Sequence, residues 1–156
     1  MKSFQTIAEK NGFQCVALTT PGGIPWKTPF PKIEPPVSPQ EWYGLIKHSS
    51  GLIGEQMHPI IIALHNVVPF YSFDYYGIVR FKYIVNEKSS KIYNLLSSAG
   101  FLQNRVHMLG KGSKCPSPEE VFLQINNFDY AKCNLFSINQ LDKYNNMMRD
   151  ISKFLI

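Results

Sequence analysis

Cysteine is scarce in this chain and scattered. Cys15, Cys115 and Cys133 form no CxxC pair and sit beside no histidine at metal-ligand spacing, which excludes a disulfide framework and a zinc ribbon. Reduced thiols, buried or idle, are what a cytoplasmic chain carries, and that is the expected location. Charge is also sparse. Lys and Arg number 16 against 11 Asp and Glu, giving a formal net charge of +5 spread along the chain without a basic cluster. Such a distribution leaves no footprint for nucleic acid and suits a small anionic ligand at least as well. Long apolar runs are missing too: the longest, Pro59 to Leu64, is far short of the roughly 20 residues of a membrane span. The opening Met1 to Gln5 has no apolar core of a secretory signal. Neither repeats nor low-complexity tracts occur.

What is present is a globular composition. Hydrophobic residues are 44% of the 156, enough for one domain with one sizeable core. Aromatic residues at 13% with charged residues at only 17% suggest that part of the surface is covered. The expected organisation is a single domain over residues 1–156, with 104–156 as a helical C-terminal extension.

The chain alternates helical and all-apolar segments, the pattern of an α/β fold with a Rossmann-like parallel sheet and flanking helices. Phe4, Ile7 and Ala8 predict a helix that stops at Asn11-Gly12. Cys15 to Thr19 reads as a strand buried on both faces. Residues 20–37 hold six of the 11 prolines, a loop too long to be a passive connector, with Trp26, Phe30 and Ile33 positioned to pack down. Ser38-Pro39-Gln40-Glu41 is a capping box that starts a helix through His48. Gly51 to Gly54 reads as a second buried strand, Met57 to Asn66 as a helix, and Val67 to Phe73 as a third strand ending in an Asp74-Tyr75-Tyr76-Gly77 turn. Ser90 to Ala99 predicts a helix stopped by Gly100. Two further capping boxes, at Ser117 and Ser137, predict helices near 118–127 and 138–155. Three strands make a thin sheet, and the opening helix reads as though a strand before it were missing.

In an open parallel sheet, ligands bind beyond the carboxyl ends of the strands. Glu55, Gln56 and His58 are placed where one strand gives way to a helix N-terminus, and Asp74 and Tyr75 past the end of the next. The helix N-terminus offers unpaired N–H groups and a partial positive charge for a phosphate or carboxylate. An imidazole there is placed for proton transfer. Local hydrogen bonding by His58 is the alternative. His65, seven residues on, is too distant for an i, i+4 metal pair and reads as structural, while His48 and His107 have no convergent partner in the sequence.

These residues resemble the C-terminal half of the polysaccharide pyruvyl transferase family. The resemblance is carried by Gly54-x-Gln56-x-His58, the apolar helix with Ala63-Leu64, Val68-Pro69, Ser72-Phe73-Asp74-Tyr75 and Ser89-Ser90-Lys91-Ile92, and is expected to span about residues 4–103. It implies a two-domain, GT-B-like transferase that moves pyruvate from phosphoenolpyruvate onto hydroxyls of a surface polysaccharide as a ketal, with no cofactor and no metal. It implies His58 as general acid/base, and Glu55, Gln56, Asp74, Tyr75, Ser90 and Lys91 around the donor. Gln56 stands where the family more often has Arg, so a bidentate anion contact is replaced by a neutral one. The family's N-terminal domain has no counterpart here, so the chain alone is expected to be inactive and to self-associate or to need a second domain. A nucleotide-sugar glycosyltransferase domain, with Glu55 or Asp74 on a ribose, and a non-catalytic interaction module are the alternatives.

Overall fold

The computed structural model describes residues 2–18, 30–33, 38–80, 84–109 and 113–153. The chain is α/β, and its centre is a three-stranded parallel sheet. Strands β3 (Leu52–Gly54), β4 (Phe70–Asp74) and β7 (Arg105–His107) pair in the order β3-β4-β7, with Gly54 opposite Ser72 and Ser72 opposite Arg105. Strands β1 (Ala17–Leu18) and β2 (Lys32–Ile33) form a separate parallel pair, and β5 (Ile78–Arg80) and β6 (Ile84–Asn86) an antiparallel hairpin.

Helices cover both faces of the sheet. On one face Phe70 shares a core with Ile60, Ala63 and Leu64 of α3 (Met57–His65), Ile46 of α2 (Pro39–Lys47), Ile92, Leu96 and Ala99 of α4 (Lys91–Ala99), and Cys133 of α6 (Tyr130–Ser152). Phe101 and Phe128 stack at 5.0 Å beside it. On the other face Tyr71 packs with Val121 and Ile125 of α5 (Pro118–Asn126), and Phe4 of α1 (Lys2–Lys10) sits edge-on to Phe73 at 6.5 Å. The period-2 alternation of β4 divides its residues between the two cores.

Several expectations change against this architecture. Thr19 lies outside the described residues; of the rest of the Cys15 run, the half-buried Ala17 and Leu18 form β1, Val16 is exposed, and β1 joins β2 rather than the central sheet. Most of the proline-rich loop, Trp26 included, lies outside the described residues; Phe30 and Ile33 are half-buried. Strand β3 is not doubly buried, because Ile53 faces solvent. The third strand starts three residues later than expected. Val67 takes a left-handed φ of 56° and the Val68 N–H returns to the Ala63 carbonyl at 2.9 Å, so Val67 and Val68 are spent stopping α3. Asp74 is consequently the last residue of β4, not part of a turn. Ser137 starts no helix: α6 begins at the Asp129 cap and runs through it for 23 residues, the Ser137 hydroxyl donating instead to the His65 carbonyl at 2.9 Å. Residues 104–156 are more than a helical extension, since they supply β7 to the sheet and α5 and the first half of α6 to the cores. Among the described residues, no helix is long and apolar enough to cross a membrane.

Candidate active site

The carboxyl edge of the sheet carries two turns side by side, one leaving β3 and one leaving β4. Glu55 and Gln56 link β3 to α3, whose N-cap Gln56 makes no side-chain capping bond. The leading N–H groups of α3 therefore lack the protein acceptor that a Ser or Asp cap would supply. His58, the second residue of α3, is exposed beside them, as is Glu55, while Gln56 is half-buried. These three residues stand where the sequence placed them.

The second turn is built differently. Asp74 is fully buried, and its carboxylate is held from three sides. It accepts from Arg105 Nε at 2.6 Å, from Ser90 Oγ at 2.6 Å and from the Tyr76 N–H at 2.8 Å. Ser90 Oγ in turn accepts from the N–H groups of Ile92 and Tyr93, so the same hydroxyl caps α4 and ties its N-terminus to the end of β4. Arg105 Nη1 reaches Glu87 at 3.2 Å, and the guanidinium lies over the Tyr93 ring at 5.2 Å. Arg105 Nη2 and Ser72 Oγ, which share a register level on one face of the sheet, are buried without a hydrogen-bond partner. His107 Nε2 sits 3.2 Å from the Tyr76 carbonyl, and the Met108 N–H donates to the Asp74 carbonyl.

Asp74 and Ser90 are therefore engaged by internal partners. A carboxylate without solvent contact needs charge and donors around it, and Arg105, Ser90 and the Tyr76 amide satisfy that need internally. These bonds join the end of β4 to α4 and to β7. Lys91, the first residue of α4, is exposed with its ammonium 4.4 Å from the centre of the Tyr76 ring, and Tyr75 projects into solvent. The structure thus leaves Glu55, Gln56, His58, Tyr75 and Lys91 accessible along one edge, and two helix N-termini, one capped and one open, point the same way.

Arg105, Glu87, Tyr76 and His107 belong to this cluster and were not picked out from sequence. Arg105-Val106-His107 is too short to show a strand period, and only its pairing with Ser72 to Asp74 brings it in. The buried Asp was the available signal, since an Asp at the end of an apolar run demands a cation.

Residues 3–76 match the polysaccharide pyruvyl transferase family, and over that stretch the resemblance read from sequence stands. The match occupies the N-terminal part of this chain, not its C-terminal half, and ends at Tyr76, short of residue 103. Gly54 to His58 and Asp74 fall inside it; Ser90, Lys91 and Arg105 fall outside. Neither a curated protein nor a solved structure matches the chain.

Proposed function

We propose that residues 3–76 carry the donor side of a polysaccharide pyruvyl transferase, corresponding to the C-terminal, GT-B-like half of such an enzyme. The donor is phosphoenolpyruvate and the acceptor a pair of sugar hydroxyls on a surface polysaccharide, with no cofactor and in the cytoplasm. One observation carries the reading: the Gly54-Glu55-Gln56-Met57-His58 segment lies within the family match and stands at an open helix N-terminus on the ligand edge of a parallel sheet.

The first turn of α3 receives the donor's phosphate or carboxylate on its free N–H groups. Gln56 adds a neutral amide where a guanidinium would pair bidentately, which predicts weak donor binding. His58 delivers a proton to the terminal enol carbon. The cation left at the neighbouring carbon is captured by one sugar hydroxyl; phosphate then departs, and the second hydroxyl closes the ketal. Glu55 accepts the proton of the first hydroxyl, His58, having given up its own, takes that of the second, and Lys91 lends positive charge from the adjacent turn.

Such a cation must be shielded from water, and His58 and Glu55 are exposed. The chain by itself therefore binds donor without efficient turnover, and a second domain or subunit completes the cleft. Calorimetric titration with phosphoenolpyruvate and, separately, with a uridine nucleotide sugar tests this. Phosphoenolpyruvate should bind, more weakly in Gln56→Ala and more tightly in Gln56→Arg. Tighter binding of the nucleotide sugar would replace this reading with glycosyl transfer, Glu55 then holding the ribose.

A further inference from the structure

Helix α6 is 23 residues long, about 34 Å at 1.5 Å per residue, and among the described residues its packing against the body lies in its first half. There Cys133 is buried, Phe136 packs against the core and Ser137 bonds to the His65 carbonyl. From Leu141 to Lys153 every residue is exposed. Yet the apolar pattern continues: Leu141, Tyr144, Met147, Met148 and Ile151 are each 44–56% exposed. Cys133, Ser137, Gln140, Tyr144, Met147 and Ile151 follow one another at alternating intervals of four and three residues, a heptad seam that runs unbroken from the buried half into the free half. A free segment of this length, with Asn145 and Asn146 at its middle, has little helix stability of its own.

In heptad terms Tyr144 and Ile151 are at a, Gln140 and Met147 at d, Leu141 and Met148 at e, Lys143 and Asp150 at g, and Asp142 and Arg149 at the outward f position. An antiparallel second copy of the same helix, with Tyr144 against the partner's Met147, would set Ile151 against the partner's Gln140. It would then bring Leu141 beside the partner's Met148 on one flank. On the other flank Lys143 would lie beside the partner's Asp150, and Asp150 beside the partner's Lys143. One flank is apolar and the other carries two opposite-charge pairs, a match that follows from the chain's own spacing. Residues 141–152 hold two cations and two anions, so the segments do not repel as wholes. The antiparallel arrangement also opposes the helix dipoles and puts the two bodies at opposite ends.

We propose that the free half of α6 is a homodimerisation element, pairing antiparallel with a second copy of this chain. A seam of two heptads is short, so the dimer is concentration-dependent rather than permanent. The inference is independent of the catalytic reading, since no residue of α6 belongs to the edge described above.

Sedimentation equilibrium of the full chain over a wide concentration series tests it. The wild type should show a monomer–dimer equilibrium, and Met147→Glu should sediment as a monomer with unchanged circular dichroism of the folded body. Lys143→Glu alone and Asp150→Lys alone each set like charges together twice and should raise the dimer dissociation constant about tenfold. The double variant K143E/D150K should restore wild-type affinity. A monomer at every concentration overturns the proposal. So does a dimer that survives Met147→Glu, or one that the double swap fails to recover.

Discussion

Asp74 shows how much one buried carboxylate asks of its neighbours. With no contact to water, it takes a guanidinium, a hydroxyl and a backbone amide as partners, and the guanidinium is itself buried. Removing Arg105 leaves that charge uncompensated. Arg105→Ala should cost about 3–5 kcal/mol in urea unfolding, the range for breaking a buried pair from one side. Lys91→Ala, which deletes an exposed ammonium over a ring, should stay within about 1 kcal/mol. A large loss at Lys91 with a small one at Arg105 would reverse the roles given to the two cations. Cys133 is the other informative residue. Burial first, and Asp129 second, push its thiol from 9.0 up to about 11, and the thiol donates to the Leu64 carbonyl at 3.3 Å. A thiol harder to ionise folded than unfolded stabilises the fold fully below the unfolded value, and that contribution is lost as pH rises from 9 towards 11. The loss should be on the order of 2 kcal/mol, and Cys133→Ala should flatten this part of the stability–pH curve. A disulfide-exchange reagent at pH 8 should titrate the exposed Cys115 quickly and leave Cys133 untouched until the chain unfolds.

At the scale of elements, three serines with the same apparent signature divide in a way that explains what the sequence disclosed. Ser38 and Ser117 each accept from the N–H three residues on, while Glu41 and Glu120 accept from the serine N–H in return. Each should cost about 1 kcal/mol when replaced by Ala. Ser137 has the same local pattern but sits mid-helix, because Asp129 already caps α6 eight residues earlier and the buried Cys133 holds that turn in place. Ser137→Ala should therefore cost no more than one exposed hydrogen bond, roughly half the effect of the other two or less, as read from paired denaturation midpoints. An equal cost at all three would restore a helix start at Ser137. The capped helices and their glycine stops were legible because the chemistry of a cap is local. Strand β7 was not, since Arg105, Val106 and His107 acquire a strand's meaning only beside Ser72, Phe73 and Asp74, 33 residues earlier in register. The start of β4 was misplaced for a related reason: Val67 and Val68 look like strand residues, and only the left-handed turn at Val67 shows that α3 consumes them. The Glu55-Gln56-His58 turn was readable as a strand-to-helix junction. The internal bonding of Asp74 and Ser90 was not, because Ser90 and Arg105 reach Asp74 from 16 and 31 residues away.

For the whole molecule, the two cores and the free helix half are separable. Among the described residues, the core around Phe70 takes no side chain from beyond Phe136, and the second core draws on α1, α5 and the sheet. The first half of α6 is bound in by Cys133 and by Ser137 on His65, whereas Leu141 to Lys153 contribute no buried side chain. Stability of one molecule and association of two should then part at Gln140. A chain ending there should unfold, at low concentration, within about 1 kcal/mol of the full chain, since surface changes away from the core are small. It should also lose any rise of Tm with concentration, because binding that favours the folded state stabilises by mass action and the binding element would be gone. Differential scanning at several concentrations reads both quantities on the same samples. If the shortened chain instead melts far below the full one at every concentration, the free half of α6 supports the monomer's own core, and fold and association are not separable in this chain.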